Sequence, residues 1–283
     1  MKIPKYWAKS VQGAQSPDGR RYRLMAWDWS DANADEARQK ADARVKAIAQ
    51  KVMAGLELDR YGYGARALRE EIIGAVNPAG KDLGVVTRNR YGALVLNASN
   101  AMFIDIDFPE NERDSSGAGP LQRMLGAKKA SLEERYARPV TEWASRHLDV
   151  ALRVYRTFAG LRCLITNQLF DPSGREAADI LRALNSDPLY IRLCQAQECF
   201  RARVTPKPWR VDMSGPPAQY PFENAASESR YRQWQQRYEQ TISKFATCRL
   251  IQQIGPRQVH PEVEPILTLH DQTSGVAANQ ALA

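Results

Sequence analysis

Two acids stand one residue apart inside an apolar run, Phe103-Ile-Asp-Ile-Asp-Phe108. Successive side chains of an extended strand point to opposite faces, so Asp105 and Asp107 project together while Ile104 and Ile106 fill the other side. Carboxylates this close repel one another unless a cation or hydrogen-bond donors compensate. Hard oxygen ligands at a strand end suit Mg2+ or Mn2+, and a divalent metal is the expected occupant. The alternative is that both acids pair with arginines along a solvent-facing sheet edge.

Basic side chains recur in two further segments. Tyr155-Arg-Thr-Phe-Ala-Gly-Leu-Arg162 leads into the apolar Cys163-Leu-Ile-Thr166 and presents Arg156, Thr157 and Arg162 near the start of a strand. A guanidinium fork donates two parallel hydrogen bonds, which suits phosphate oxygens, so these are candidate nucleotide-binding residues; pairing with surface acids is the alternative. Farther on, Cys199-Phe-Arg-Ala-Arg-Val204 alternates and puts Arg201 and Arg203 on one face, with Lys207 and Arg210 close behind. Nucleotide phosphates are the expected partners of the first two and nucleic acid of the second two. Between these segments Asp187, followed by Pro188, can supply a third carboxylate, although an Asp before Pro commonly makes a turn or caps a helix.

The elements that must position these groups follow from local pattern. Residues 3–11 and 20–29 alternate as strands around Ser16-Pro-Asp-Gly19, and Ser30 is placed to cap a helix running to about Ala54. Two glycines in Tyr61-Gly-Tyr-Gly64 predict a break. Residues 66–74 are expected to be helical, and 91–96 with 101–108 to form a hairpin across Asn97-Ala-Ser-Asn100. The polar stretch 110–119 predicts a surface loop. Helical spacing extends over 131–156, with Ser131 as N-cap and a kink or break at Pro139, and again over 174–184. Residues 161–166 and 199–204 are expected strands. A Pro-rich linker at 214–225 precedes a long polar helix over 228–254 and a disordered tail after Ser274.

These segments predict an α+β protein. A small ββα module (1–60) precedes a core with a central mixed sheet (61–212), and a linker, long helix and tail (213–283) follow. The chain has 283 residues, 43% hydrophobic and 25% charged, which excludes fibrous and wholly disordered classes. Forty Lys and Arg against 32 acids give a net charge of +8, a field that favours anionic partners such as nucleic acid or nucleotides. The first residues lack the apolar core of a secretion signal, and no stretch is long and apolar enough to span a bilayer; the expectation is a cytoplasmic protein without a membrane partner. The cysteines, Cys163, Cys194, Cys199 and Cys248, are spread too widely for a disulfide framework. Cys194 and Cys199 with His260 and His270 fit no compact zinc spacing, and Cys163 with His147 gives no sequence sign of a nucleophile and its base.

The N-terminal strands interleave Trp7, Trp27 and Trp29 with Lys5, Lys9, Arg20, Arg21 and Arg23. Such a mixture can stack bases and hold phosphates, although aromatics in short strands ordinarily pack on the helix behind them.

Taken in order, Phe103-Ile-Asp-Ile-Asp107, Gly160-Leu-Arg-Cys-Leu-Ile165, Asp187 and Cys199-Phe-Arg-Ala-Arg203 resemble motifs I, II and III of the archaeo-eukaryotic primase superfamily, over about residues 90–210. The resemblance implies an RRM-like catalytic sheet and a primase-polymerase nucleotidyltransferase working on a DNA or RNA template. It also implies metal ligation by Asp105, Asp107 and Asp187 and phosphate contacts from Arg201 and Arg203. Where the family's second motif carries a histidine, this chain has Cys163 beside Arg162. The alternative function is a non-catalytic nucleic-acid-binding protein with a degenerate primase-like fold.

Overall fold

The computed structural model describes residues 1–56, 67–113 and 130–283. The predicted break at 61–64 and most of the loop at 110–119 lie outside them. The N-terminal module is a hairpin of β1 (Tyr6–Gln15) and β2 (Arg21–Ser30), covered on one face by α1 (Ala34–Met53). Asn33, rather than Ser30, caps α1; Ser30 instead donates to Glu36 at 2.7 Å. The helix lies on the face bearing Asp28, whose carboxylate accepts from Arg44 at 3.0 Å. Trp7, Trp27 and Trp29 share the opposite face and are half-buried there, with the Arg69 guanidinium 4.4 Å from the Trp27 ring centre. The tryptophans thus lie on the face away from α1, whose Lys40 reaches round to the Trp29 ring, its Nζ 5.8 Å from the ring centre.

Two four-stranded antiparallel sheets replace the single mixed sheet expected. The first has the order β11-β7-β8-β6 and the second β3-β4-β5-β9. The strands of the first are β6 (Phe103–Asp107), β7 (Leu152–Thr157), β8 (Gly160–Ile165) and β11 (Cys248–Ile254). Those of the second are β3 (Glu71–Val76), β4 (Gly84–Arg88), β5 (Leu94–Ala98) and β9 (Phe200–Arg203). A small parallel pair joins β10 (Phe245–Ala246) to β12 (Ala281–Leu282). No helix among the described residues is long and apolar enough to cross a membrane.

Several expected elements change for tertiary reasons. Residues 71–76 pair with β4 as a strand, where a helix was expected from 66–74. The anticipated hairpin does not form: β5 pairs with β4 and β9 while β6 pairs with β8, so residues 99–102 carry the chain from one sheet to the other. Helix α2 (Leu132–Ala144), closed at its start by a Ser131/Glu134 capping box, runs through Pro139 and ends well before 156, because Leu152–Thr157 is claimed by β8 and β11. The long polar helix likewise stops at α5 (Ala225–Ile242), and residues 248–254 become a strand of the first sheet. The tail is ordered: α6 (Glu264–Thr273) docks its Ile266 and His270 into the interior, and Ala283 is buried. Strand β11, from the stretch expected to continue the long helix, is thus the edge strand of the first sheet.

One apolar core runs through both sheets, from Leu83 and Leu96 to Phe103, Ile104, Leu161 and Leu164. β6 and β8 are held closest at their ends, where Gly160 faces Asp107. A Cβ on Gly160 would lie 2.0 Å from the Ile106 carbonyl oxygen, a contact that backbone cannot yield to. Gly160→Ala is therefore expected to cost about 1–3 kcal/mol, read as a lower thermal midpoint. Gly215→Ala, with open space at its Cβ position, should leave the midpoint unchanged.

Candidate functional site

Cross-strand partners in an antiparallel pair share a face, and this rule sorts the predicted residues. Asp105 lies opposite Arg162, and Arg162 opposite Tyr155. Asp105, Asp107, Arg162 and Tyr155 thus occupy the face of the first sheet that meets β9 and α6, while Ile104, Ile106, Leu161 and Cys163 fill the other. The two acids sit where the strand emerges: Asp105 is half-exposed and Asp107 exposed. The edge of β6 beyond them is closed by helix α4 (Pro188–Gln197) and the turn before it. Ser186 Oγ donates to the Asp105 carbonyl at 2.8 Å, and Tyr190 Oη donates to the Phe103 carbonyl at 3.0 Å.

Arg162 is the link between the sheets. Its side chain is 4% exposed, its Nη1 donates to the Arg203 carbonyl of β9 at 2.9 Å, and its Nε, which has no hydrogen-bond partner, lies 3.8 Å from Asp105 Oδ1. Arg203 follows on the same side and donates to the Thr205 carbonyl at 3.0 Å. Burial, and then the charges of Arg210 and Arg162, push the Arg203 pKa down to about 10. Lys207 is lowered for the same reasons, by burial and by Arg203 and Arg210, while Asp107 and Asp105 act in the opposite sense. Arg162, Arg203 and Lys207 therefore stand within reach of the acids' charge from β8, β9 and the residue before the 3-10 turn Pro208–Val211. Arg210 of that turn is near enough to Arg203 and Lys207 to add to the effect of their burial. Such a cluster is relieved by an anion, and phosphate suits it.

The other predicted residues are placed elsewhere. Arg201 shares its strand face with Arg203, but its Nη2 donates to both carboxylate oxygens of Glu70, at 2.8 and 3.0 Å, and both side chains are largely buried. Glu70 also accepts from Thr87 at 2.6 Å, so this arginine ties β9 to β4. Arg156 is on the opposite face from Asp105, stacks 4.6 Å from the Phe108 ring centre and donates to the Gly160 carbonyl at 2.9 Å. Thr157 is buried and its carbonyl accepts from Arg156. Asp187 caps α4, its Oδ1 accepting from the Leu189 amide at 2.9 Å. Its backbone amide reaches the Asp105 carbonyl at 3.3 Å, which brings the residue near the pair without adding its carboxylate. Among the described residues no three His, Cys, Asp or Glu side chains are grouped as metal ligands. Asp105 and Asp107 by themselves fit one hard divalent cation that takes its remaining ligands from water and phosphate. The three-carboxylate set implied for two metals is not assembled.

His270, set aside in the sequence, turns out to be central. It is fully buried from α6, between the Phe103 and Tyr155 rings at centroid distances of 5.1 and 4.9 Å. Its Nδ1 lies 2.9 Å from Asp271 Oδ1, and its Nε2 lies 3.4 Å from Arg162 Nη1. A carboxylate only accepts and a guanidinium only donates, so the proton sits on Nδ1 and Nε2 accepts. Asp271 also accepts from Arg153 at 2.6 Å and from Tyr155 Oη at 2.9 Å. Burial, together with the Arg162 charge, lowers the His270 pKa to about 4, against the pull of Asp271. The neighbouring Asp271 is its one local partner, a pairing common in any sequence, while the contacts that place it at the site lie 108 residues away at Arg162 and 22 away at Cys248.

Cys248 Sγ is 3.8 Å from His270 Nε2, which completes a thiol–imidazole–carboxylate sequence. That sequence is not a nucleophilic centre: Cys248 is fully buried and burial raises its pKa, the reverse of thiolate activation. Burial also pushes Cys163 to about 12. His147 stacks on Trp143 instead of approaching it. All four cysteines are free and buried.

Comparisons with models of protein families, with curated proteins and with solved structures return no match.

Two outcomes follow from this geometry. His270 is neutral when folded, and the unfolded chain takes up a proton below pH 6.5. Stability should therefore be intact above that pH and fall by up to roughly 1.4 kcal/mol per unit as pH drops toward the folded value. Urea unfolding at several pH values should show this slope and His270→Gln should flatten it; an imidazole that titrates near 6.5 in the folded protein contradicts the assignment. Arg201→Ala, which strands the buried Glu70, should cost about 3–5 kcal/mol in the same measurement.

Proposed function

We propose that this protein is a primase-polymerase-like nucleotidyltransferase that handles nucleotides on a nucleic-acid template, with its centre at the Asp105/Asp107 end of β6. The observation that carries the proposal is the pair of same-face carboxylates at the junction of two sheets, with the Arg162 guanidinium 3.8 Å from Asp105 and bonded to the Arg203 carbonyl of β9, and with Arg203, Lys207 and Arg210 grouped beside them. The first sheet has strand β8 inserted between β6 and β7, with α2 in their connection, and this split βαβ part supports an RRM-like reading, while β11 adds beside β7.

In this reading Asp105 and Asp107 would hold Mg2+ or Mn2+, which supplies charge neutralisation at a transferring phosphoryl group. The chain's own residues do the rest. Arg203, Lys207 and Arg210 bind phosphate oxygens, with Arg203 pre-positioned by burial and by its Thr205 bond. Arg162 orients Asp105 from beneath, itself held by His270 and the Arg203 carbonyl. Cys163, at the position of the family's histidine, faces the other side of the sheet, and the group beside Asp105 is instead Arg162, met from α6 by His270.

A second reading, a non-catalytic nucleic-acid-binding protein, is favoured by Asp187, whose carboxylate is committed to its helix cap. The two readings separate in one assay. The wild-type chain is expected to incorporate labelled nucleotides on primed or unprimed single strands with Mn2+ or Mg2+, and the Asp105→Ala/Asp107→Ala variant should fall to background. Single-strand binding equal in both proteins, without incorporation, establishes the second reading; absence of both activities rejects each. Arg203→Ala should weaken binding across sequences and reduce the salt slope by about 1.

A further inference from the structure

Beside the cation cluster, two aromatic rings face solvent. Trp209 is 52% exposed and Phe158 46%, and of the chain's six tryptophans only Trp209 is exposed. Exposed apolar side chains are ordinary singly, whereas rings grouped with charge on one patch mark a surface that can take a ligand. These two are set by the same elements that build the site: Phe158 stands on the β7–β8 turn, two residues before the Gly160 that faces Asp107, and Trp209 lies in the 3-10 turn between Lys207 and Arg210.

Each ring is flanked by a cation. Lys207 Nζ is 5.4 Å from the Trp209 ring centre, and the Arg210 guanidinium is 4.4 Å from that of Phe158. Tyr91 meets Trp209 edge-on at 5.1 Å, and Arg90 lies 4.8 Å from the Tyr91 ring centre. The near-perpendicular Tyr91 ring and the Lys207 ammonium over the indole hold Trp209 in place, and about half of its surface still meets solvent.

We infer that Trp209 and Phe158 form a base-stacking ledge for a single strand of nucleic acid, whose phosphates lie along Arg90, Lys207 and Arg210 and which leads to the Asp105/Asp107 end of β6. The inference rests on the nucleic-acid reading above and adds the strand's path and the groups that hold its bases. A ring can pair with a base only where that base is unstacked, so the ledge selects single strands over duplex, and every base has a face to offer, so selection by sequence is weak.

The test compares an oligodeoxythymidylate of about twelve nucleotides with an abasic deoxyribose-phosphate strand of equal length and charge. The full-length protein should bind the first with quenching of tryptophan fluorescence and the second roughly tenfold more weakly, without quenching. Trp209→Ala should lose a similar factor on the base-bearing strand only, Trp209→Phe should recover affinity without the quench, and Phe158→Ala should weaken binding in the same base-dependent way. Equal affinity for both strands, or tighter binding of a duplex, overturns the ledge. Those results leave the assignment of Asp105 and Asp107 to the incorporation assay, whereas loss of incorporation with base-dependent binding retained rejects catalysis and keeps the ledge.

Discussion

Arg162 carries a charge at a depth where only 4% of its side chain meets solvent, and a guanidinium that deep has to be matched by acceptors around it. The acceptors come from three directions. Asp105 lies across β6, the Arg203 carbonyl belongs to the second sheet, and His270 arrives from α6 near the end of the chain. Satisfying this one group holds the two sheets in register with each other and brings the last helix against the first sheet.

The imidazole at the far side of that contact is itself determined by Asp271, which also gathers Arg153 and Tyr155 Oη. The result is a continuous polar chain from the acids at the end of β6, through a buried guanidinium and a neutral histidine, to the half-buried Asp271 carboxylate. Its members share a low-dielectric setting, where hydrogen bonds strengthen and unmet groups are costly. The Nε of Arg162 is such an unmet group, and it points toward the half-exposed Asp105 at the mouth of the site.

Charge is sorted by depth. Arg201 and Arg203 leave β9 on one face, yet Arg201 is neutralised by Glu70 while Arg203 keeps company with Arg162, Arg210 and Lys207. One arginine joins strands and the other sits in a field of like charge. Exposed rings at Trp209 and Phe158 lie beside that field, so the surface joins positive charge with planar apolar area.

Local pattern was enough to read the α+β class, the N-terminal ββα order, strands β6, β8 and β9, and the shared face of Asp105 and Asp107, because alternation and capping act over a few residues. It was also enough to read the capping role open to Asp187 and the basic character of the β9 face. Local pattern misassigned 71–74, 152–156 and 248–254, where helical spacing was overruled by strands already present to pair with them. It could not foretell that 91–96 and 101–108 enter different sheets. Nor could it foretell which of two equivalent arginines is neutralised, or that His270 reaches Arg162. Those outcomes depend on groups more than 100 residues apart meeting in an interior where an unpaired charge is not tolerated, and only the folded chain brings them together.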